Sequence, residues 1–340
     1  MQRLEADWLN APETRAVFAL LTEAGYAAYA VGGCVRNTLL HAPVKDIDLS
    51  TDARPETVMS LAKQAGLRAI PTGIDHGTVT VVSGDIPHEI TTYRRDVATD
   101  GRRAVVAFST DIKDDALRRD FTMNALYADA SGKVVDPIGG LQDLLARRVR
   151  FIEDADQRIQ EDYLRSLRFF RFNAWYGDTA QGLDADALDA IARNLDGIAT
   201  LSRERVGGEM LRLLEASDPS IAVATMRSTG LLHAVLEGAD DRVIAPLVYL
   251  EQKLGIEPDP LRRLAALGGE NLTEKLRLSR QDAERLRILT AGAPGGPKVS
   301  GYKLGVNNAR DVHLIEAAGL SVPINASTID AIEELSLIHI

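Results

Sequence analysis

The 340-residue chain is poor in the residues that disulfides and zinc cages need. It contains a single cysteine, Cys34, so it can form neither an internal disulfide nor a cysteine-based zinc site. We interpret Cys34 as a small packing residue rather than a reactive thiol. The six histidines are scattered without the spacing of metal ligands. These absences exclude disulfide-stabilised and zinc-thiolate proteins.

Long apolar runs and an excess of basic charge are also lacking. No apolar run approaches the roughly 20 residues that a membrane-spanning helix needs, and the first residues lack a signal-peptide pattern. We therefore expect a cytoplasmic protein without a membrane partner. The formal charge of -10 argues against a broad nucleic-acid-binding surface, although a local one is compatible with it.

Strand and helix patterns separate along the chain. A chain of 340 residues exceeds one ordinary core and should split into two or more domains. Short strand patterns are confined to residues 1–140, whereas helical spacing dominates afterwards. The sequence therefore predicts an α+β fold, in which a head with a small mixed β-sheet (1–140) precedes helical regions.

Two adjacent glycines follow the first predicted strand, residues 26–31. Gly32 and Gly33 let the chain turn sharply and bring main-chain N–H groups close to an anion. Arg36, three residues past the second glycine, adds a guanidinium for the same phosphates. The alternative interpretation is an ordinary turn.

Two aspartates follow at a spacing that suits a metal site. Asp46 and Asp48 are two residues apart, so on a strand both side chains project from one face. Attack of a hydroxyl on an α-phosphate needs one metal ion for the nucleophile and another for the leaving pyrophosphate, and magnesium prefers oxygen ligands. Glu89, on a later predicted strand, is a candidate third metal ligand. The alternatives are a solvated strand end and a solvent-facing Glu89.

The segment 115–125 mixes cations, a carboxylate and an amide beside apolar residues. This mixture suits a ribose triphosphate, with Arg118 and Arg119 on phosphates. Asp120 and Asn124 would then bind sugar hydroxyls. A salt-bridged helix start would have a similar sequence.

A helix is predicted over residues 161–169, with Asp162 and Arg165 as neighbours on one face. Such a pair is either a helix salt bridge or a reader of a base edge. For the second role the carboxylate accepts from an exocyclic amine, and the guanidinium donates to ring acceptors.

Two other sets of arginines leave their roles open. Residues 96–109 have little periodicity and predict a mobile loop, whose arginines either meet phosphate or keep the loop soluble. Arginines of the later helices either touch nucleic-acid phosphates or lie on solvated faces: Arg262, Arg263, Arg277 and Arg280.

Four motifs in this order resemble the class II tRNA nucleotidyltransferase and bacterial poly(A) polymerase family. The resemblance covers roughly residues 25–215, including a segment at 202–209 that is similar to the start of the family's RNA-binding helices. The motifs are Gly32-Gly33-x-Val35-Arg36, Asp46-x-Asp48, Arg118-Arg119-Asp120-Phe121-Thr122-x-Asn124-Ala125 and Glu161-Asp162-x-x-Arg165-x-x-Arg168-Phe169.

The resemblance implies an enzyme with a catalytic head (1–140), a helical neck (141–200), and a helical body and tail (201–340) that binds tRNA. It implies that Asp46 and Asp48 hold Mg²⁺. The triphosphate would meet Gly32, Gly33 and Arg36, and the ribose would meet Asp120.

The resemblance further implies selection of CTP and ATP by Asp162 and Arg165, with support from Arg168. The product would be the CCA terminus of tRNA, made without a template and with release of pyrophosphate. Rival interpretations are a poly(A) polymerase, an enzyme that adds only C or only A, and a noncatalytic RNA-binding relative. Nothing in the sequence indicates an oligomeric state.

Two departures from the family pattern stand out. Relatives commonly carry Asp where this chain has Asn37, and because the amide keeps hydrogen-bonding capacity we expect little loss of activity. The sequence ends at residues 335–340 within a helical pattern, earlier than many relatives. We therefore expect a short or incomplete tail, which would weaken the grip on tRNA more than the chemistry.

Overall fold

The computed structural model describes residues 2–100, 103–324 and 326–334. The chain forms two compact units, Met1–Asp162 and Tyr163–Ile340, and each is described by itself. The predicted boundaries at residues 140 and 200 stay predictions. Within the described ranges, no helix combines the length and apolarity that crossing a membrane requires. Residues 335–340, on which the expectation of a short or incomplete tail rests, lie outside the described residues.

The first unit is built on a sheet. Its strands are β1 Ala28–Val31, β2 Ile47–Thr51, β3 Arg68–Gly73, β4 Thr78–Ser83, β5 Ile86–Thr92, β6 Arg94–Asp100, β7 Arg103–Phe108, β8 Tyr127–Ala128 and β9 Val134–Val135. Its α-helices are α1 Asp7–Asn10, α2 Pro12–Thr22, α3 Gly33–Leu39, α4 Pro55–Gln64, α5 Ile112–Leu117, α6 Gly140–Leu145 and α7 Ala155–Glu161, with short 3-10 turns at Ile74–His76 and Thr122–Asn124.

Seven strands form the main sheet in the order β3-β4-β5-β2-β1-β8-β9. Strand β2 lies in the middle, parallel to β5 and antiparallel to β1. Its side chains alternate, since Ile47 and Leu49 are buried in the core while Asp48 and Ser50 share the other face. The parallel register places Asp48 directly beside Glu89. The topology therefore places two of the predicted acidic residues, Asp48 and Glu89, side by side on neighbouring strands in the middle of the sheet.

The segment that was predicted to be a loop is instead a β-hairpin. Strands β6 and β7 pair antiparallel, with a register shift between Asp96 and Ala98. The loop prediction for residues 96–109 was therefore wrong over most of its length. Its β-branched residues, at 97, 99, 105 and 106, favour strands despite the charged neighbours. Of the predicted tip with its two arginines, Gly101 and Arg102 lie outside the described residues, and Arg103 begins β7.

The second unit is helical throughout its described part. Its α-helices are α8 Leu164–Tyr176, α9 Ala185–Arg193, α10 Arg203–Leu214, α11 Ser220–Ser228, α12 Leu231–Val235, α13 Ile244–Leu254, α14 Pro260–Leu267, α15 Leu272–Lys275, α16 Arg280–Thr290, α17 Pro297–Leu304, α18 Val306–Leu320 and α19 Ala326–Glu334. One of its apolar clusters joins α13 to α18 through Leu247, Leu250 and Leu314.

Two arginines of α14 lie inside this helical unit. Arg262 and Arg263 are each only 1% exposed and bind Glu251 of α13, with N–O distances of 2.7 and 2.6 Å. Both interpretations made for them, phosphate contact and a solvated face, were therefore wrong. Arg277 and Arg280 are exposed, as a solvated face requires.

Candidate active site

Three carboxylates meet at strands β2 and β5. Asp48 is half-buried on β2, Asp46 is exposed just before that strand, and Glu89 is exposed on β5 beside Asp48. Burial and the negative charge of Glu89 and of Asp46 raise the pKa of Asp48 to about 6, although the charge of Arg119 opposes the change. The corner therefore carries more negative charge than its protein neighbours neutralise.

This corner fits a hard divalent cation by its chemistry. It offers carboxylate oxygens alone, which are the ligands that Mg²⁺ prefers, and a cation would relieve the repulsion that raises the Asp48 pKa. Within the described ranges, no three His, Cys, Asp or Glu side chains already form a metal cage. Metal binding by Asp46 and Asp48, and by Glu89 as a third ligand, stays a prediction.

The glycine turn sits between β1 and α3. Gly32 has a φ of 69° and a ψ of -118°, a conformation that residues with a Cβ rarely adopt. A Cβ there would also lie 3.2 Å from Nη1 of Arg119 and 3.6 Å from the main-chain oxygen of Asn124. Gly32 is therefore needed both for the turn and for the close approach of Arg119. Gly33 begins α3.

Arg36 is buried beside this turn and is held by amide oxygens. Its Nε and Nη2 donate to Oδ1 of Asn37 at 3.1 and 2.8 Å, and its Nη1 donates to Oδ1 of Asn124. Asn37 also donates from Nδ2 to the carbonyl oxygen of Pro43 at 2.7 Å. The expected hydrogen-bonding capacity of Asn37 is thus used on both sides of its amide.

The predicted ribose-binding pair is internally bonded. Asp120 is buried, and its Oδ1 accepts from the main-chain N–H of Phe121 at 2.9 Å and from Nδ2 of Asn124 at 3.0 Å. The Asn124 amide therefore bridges Asp120 to Arg36. This network fixes the orientation of the three side chains, while their contacts with sugar and phosphate stay predictions.

Asp115 is the residue of this region whose role sequence reasoning missed. It is fully buried, and its Oδ1 accepts from Nε of Arg118 at 2.8 Å, while its Oδ2 accepts from Nη2 of Arg119 at 3.0 Å. Burial alone raises the pKa of Asp115, but the charges of Arg119 and Arg118 outweigh it and hold the pKa well below its usual range. The spacing of three and four residues to the two arginines was the available signal.

The single cysteine packs beside β2. Cys34 is buried, with its Sγ 3.4 Å from the carbonyl oxygen of Val31 and 3.7 Å from that of Asp48. Burial raises the pKa of the thiol to about 11. The interpretation as a packing residue is confirmed.

The predicted base-reading residues fall at a break between helices. Helix α7 ends at Glu161 and α8 begins at Leu164, while Asp162 has an extended backbone with a φ of -157°. The prediction of one helix over 161–169, with Asp162 on the same face as Arg165, was therefore wrong. The apolar spacing continued through a position where the backbone turns.

Arg165 and Arg168 lie on α8, in the second unit. Arg168 has its Nη1 3.8 Å from the buried carboxylate of Glu209, and its guanidinium lies over the ring of Phe172 at 5.4 Å. Arg171 donates to the same carboxylate at 2.6 Å. Support of Asp162 and Arg165 by Arg168 stays a prediction.

Two family models match the chain. Residues 28–150 match the poly(A) polymerase head domain, and residues 182–242 match the region described as the probable RNA and SrmB-binding site of polymerase A. The first match holds the glycine turn, the paired aspartates and the arginine motif described above. Fold and site together define a nucleotidyltransferase-type head joined to a helical unit.

Curated relatives extend the comparison. CCA tRNA nucleotidyltransferase 1, mitochondrial, of Danio rerio is 37% identical over 257 residues, or 74% of this chain and 60% of that protein. The CCA-adding enzyme of Bacillus pumilus is 38% identical over 239 residues, or 69% of this chain and 58% of that protein. The chain thus spans about three-fifths of the length of these relatives.

Solved structures agree with this fold. The CCA-adding enzyme of Bacillus stearothermophilus, in complex with CTP, has a TM-score of 0.73 at 28% identity, covering 95% of this chain and 80% of that one. The Thermotoga maritima enzyme, complexed with tRNA, has a TM-score of 0.69 at 18% identity, covering 99% and 86%, and shows the fold alone. The chain belongs to the family of class II tRNA nucleotidyltransferases and bacterial poly(A) polymerases. The predicted family and the predicted α+β fold class are confirmed.

Proposed function

We propose that this chain is a CCA-adding tRNA nucleotidyltransferase. It adds C, C and A from CTP and ATP to the 3′ end of tRNA, without a template, and releases pyrophosphate. Family membership and the names of the relatives support this proposal. The observation that carries it is the placement of Asp48 on the central strand, with Asp46 just before it, near the Arg119 guanidinium that approaches the glycine turn. A cytoplasmic site of action is part of the proposal.

Asp46 and Asp48 would hold Mg²⁺ through their carboxylates. When bound, the metal supplies the positive charge that activates the 3′-hydroxyl and stabilises the departing pyrophosphate. The chain's own residues do the positioning: Gly32 and Gly33 let the triphosphate approach the main chain, and Arg36 and Arg119 direct guanidinium groups at it. Catalysis of this kind comes mainly from orientation and charge stabilisation.

The ribose and the base would be held by different parts of the chain. Asp120, fixed by Asn124, would accept from a ribose hydroxyl. Asp162 and Arg165 would select cytosine and adenine, because on the Watson–Crick edge both bases present an exocyclic amine beside a ring acceptor, where uracil and guanine present a carbonyl beside a ring N–H. This selection rests on the family resemblance of the Glu161–Phe169 motif.

The test uses a tRNA that lacks its 3′ terminus, Mg²⁺, and each labelled nucleotide singly and in combination. Products sized at single-nucleotide resolution should stop after C, C and A, with no use of UTP or GTP. Long A tails would move the assignment to a poly(A) polymerase, whose name the matched head model carries. Addition of C alone or A alone would mark a partial activity.

Three variants check the metal assignment in the same assay. Asp46→Asn and Asp48→Asn should each lower incorporation by about 100-fold or more, since several kcal/mol of charge stabilisation depend on the metal. Asp85→Asn is the matched control, because Asp85 is an exposed aspartate in the turn between β4 and β5 of the same sheet. Near-normal activity of either metal-site variant would contradict the assignment, and tRNA binding without incorporation by the wild type would favour a noncatalytic relative.

A further inference from the structure

We infer that Asp115 is the positioning residue of the nucleotide site. It fixes the guanidinium of Arg119 against the Gly32 turn and connects it to β2, the strand that carries Asp48. The inference rests on the proposed function for the identity of the ligand, a nucleoside triphosphate. The geometry itself lies within the first unit.

Asp115 divides its two oxygens unequally between the arginines. Its Oδ1 accepts from Nε of Arg118 at 2.8 Å and forms an ion pair with Nη2 of the same arginine at 2.6 Å. Its Oδ2 takes only Nη2 of Arg119, at 3.0 Å, while Nη1 of Arg119 lies 3.2 Å from where a Gly32 Cβ would stand. Arg118 therefore binds Asp115 by its fork, whereas Arg119 is held by one nitrogen and presents another to the glycine turn.

Two hydroxyl groups complete the binding of Asp115. Ser50 Oγ and the Tyr127 hydroxyl both donate to Oδ2, at 2.9 and 2.8 Å. Ser50 follows Asp48 by two residues on the same face of β2, so Asp115 is bonded to the strand that carries the proposed metal ligand. The Tyr127 ring also lies under the Arg119 guanidinium at 5.6 Å. Arg119 is thus held from two sides in fixed register with Asp48.

The main chain of Arg119 is fixed as well. Nη2 of Arg158, on α7, donates to its carbonyl oxygen at 2.6 Å. The side chain of Arg119 is 18% exposed, whereas that of Asp115 is fully buried. Asp115 therefore has no access to nucleotide and acts through the arginine that does.

The test is a double-mutant cycle on the full chain with Asp115→Asn, Arg119→Met and the pair together. Asp115→Asn should raise the KM for CTP by about 10- to 100-fold, the range found when a supporting partner of a ligand-binding group is removed, and change kcat less. Combined with Arg119→Met it should add nothing, because the residue through which it acts is already gone. Multiplying effects, or an unchanged KM, would overturn the inference.

A matched control separates positioning from general loosening of the fold. Asp143 is another buried carboxylate of the first unit, and it accepts from Thr122 Oγ1 at 2.7 Å and from Nε of Arg150 at 3.0 Å. Asp143→Asn should lower the melting temperature about as much as Asp115→Asn while leaving the KM unchanged. An equal rise of KM in both variants would count against a positioning role.

Milder variants and a simpler ligand keep the inference testable. If Asp115→Asn does not fold, Tyr127→Phe and Ser50→Ala each remove one donor, and each should raise the KM a few-fold. Calorimetry with inorganic tripolyphosphate measures phosphate binding without product formation. If the wild type incorporates nothing yet binds tripolyphosphate, and Asp115→Asn weakens that binding, the proposed function fails and the positioning role stands. If Asp115→Asn leaves both tripolyphosphate binding and KM intact, the positioning role fails.

Discussion

Two pairs of neighbouring arginines, at 118–119 and 262–263, are each bonded to one buried carboxylate. In the first unit the side chains are 14% and 18% exposed around Asp115. In the second unit both are 1% exposed around Glu251. The same residue types in the same order therefore form a partly exposed pair in one region and a fully internal pair in the other.

The acceptors that surround each pair explain the difference. Arg263 donates to the carbonyl oxygens of Leu214 and Ser217, at 2.6 and 3.1 Å, beside the end of α10. Arg262 donates to the carbonyl oxygen of Glu257 at 2.6 Å and to Asp311 at 2.8 Å. The guanidinium groups of Arg262 and Arg263 thus donate their N–H groups to protein oxygens, and these bonds hold the helices together.

The largest effect should come from removing the carboxylate of the internal pair. Glu251→Ala leaves two buried guanidinium groups without their shared acceptor, so it should lower the free energy of unfolding by about 3–5 kcal/mol. Urea denaturation measures this loss. Provided that the variant remains folded at the assay temperature, its KM for CTP should match the wild type. A KM that rises as much as in Asp115→Asn would erase the distinction between the two pairs.

Asp48 has acidic neighbours, Glu89 and Asp46, and so contrasts with the arginine-bonded carboxylates Asp115 and Glu251. The pKa of Asp48 is raised from 3.8 to about 6, so its contribution to stability is full below pH 3.8 and is lost as pH rises through 6. The whole loss should be at most about 3 kcal/mol in metal-free protein, of which about 1.4 kcal/mol falls between pH 5 and 7.5. Thermal unfolding in a chelator, across that range, measures it.

Two comparisons isolate Asp48 from the other titrating groups. Glu89→Gln removes one of the charges that raise the pKa, so it should flatten the decline in melting temperature between pH 5 and 7.5. Added Mg²⁺ should restore stability at pH 7.5 in the wild type and have little effect in Asp48→Asn. The same pH slope in wild type and Glu89→Gln would show that the acidic corner is not its source.

The smallest effect should follow Asn37→Asp, which restores the residue common among relatives. The new charge strengthens the bond to Arg36, but the donor to Pro43 is lost, and gains and losses of about 1 kcal/mol offset each other. The KM for CTP should therefore stay within about threefold of the wild type. A tenfold change in steady-state assays would show that Arg36 depends on this partner as Arg119 is expected to depend on Asp115.

Strand β2 was predictable because the sequence pattern that indicates it is local. The spacing of Asp46 and Asp48 and the alternation around them require only a strand. The position of Glu89, by contrast, depends on the pairing of β2 with β5, which brings together Asp48 and Glu89 although they are 41 residues apart in the sequence. The sequence indicated Glu89 as a candidate metal ligand, but it did not indicate the register in which β2 and β5 pair.

The arginines show where sequence reasoning ends. Nothing in the composition around 262–263 distinguishes a buried pair from an exposed one, because burial depends on Glu251 and Asp311 arriving from other helices. Asp115 was visible in the motif, yet its importance comes from Ser50 and Tyr127, which only the folded sheet brings to it. The break at Asp162 likewise depends on backbone geometry rather than apolar spacing.

The buried thiol makes this chain convenient for site-specific labelling. Cys34 is the only cysteine in the sequence, and burial keeps it protonated at neutral pH, so maleimide reagents should leave the native protein unmodified. A cysteine introduced at an exposed position would then carry a fluorophore or spin label without any prior removal of a native residue. Distances between the proposed nucleotide and tRNA ligands and chosen points on the chain become measurable in an otherwise unaltered protein.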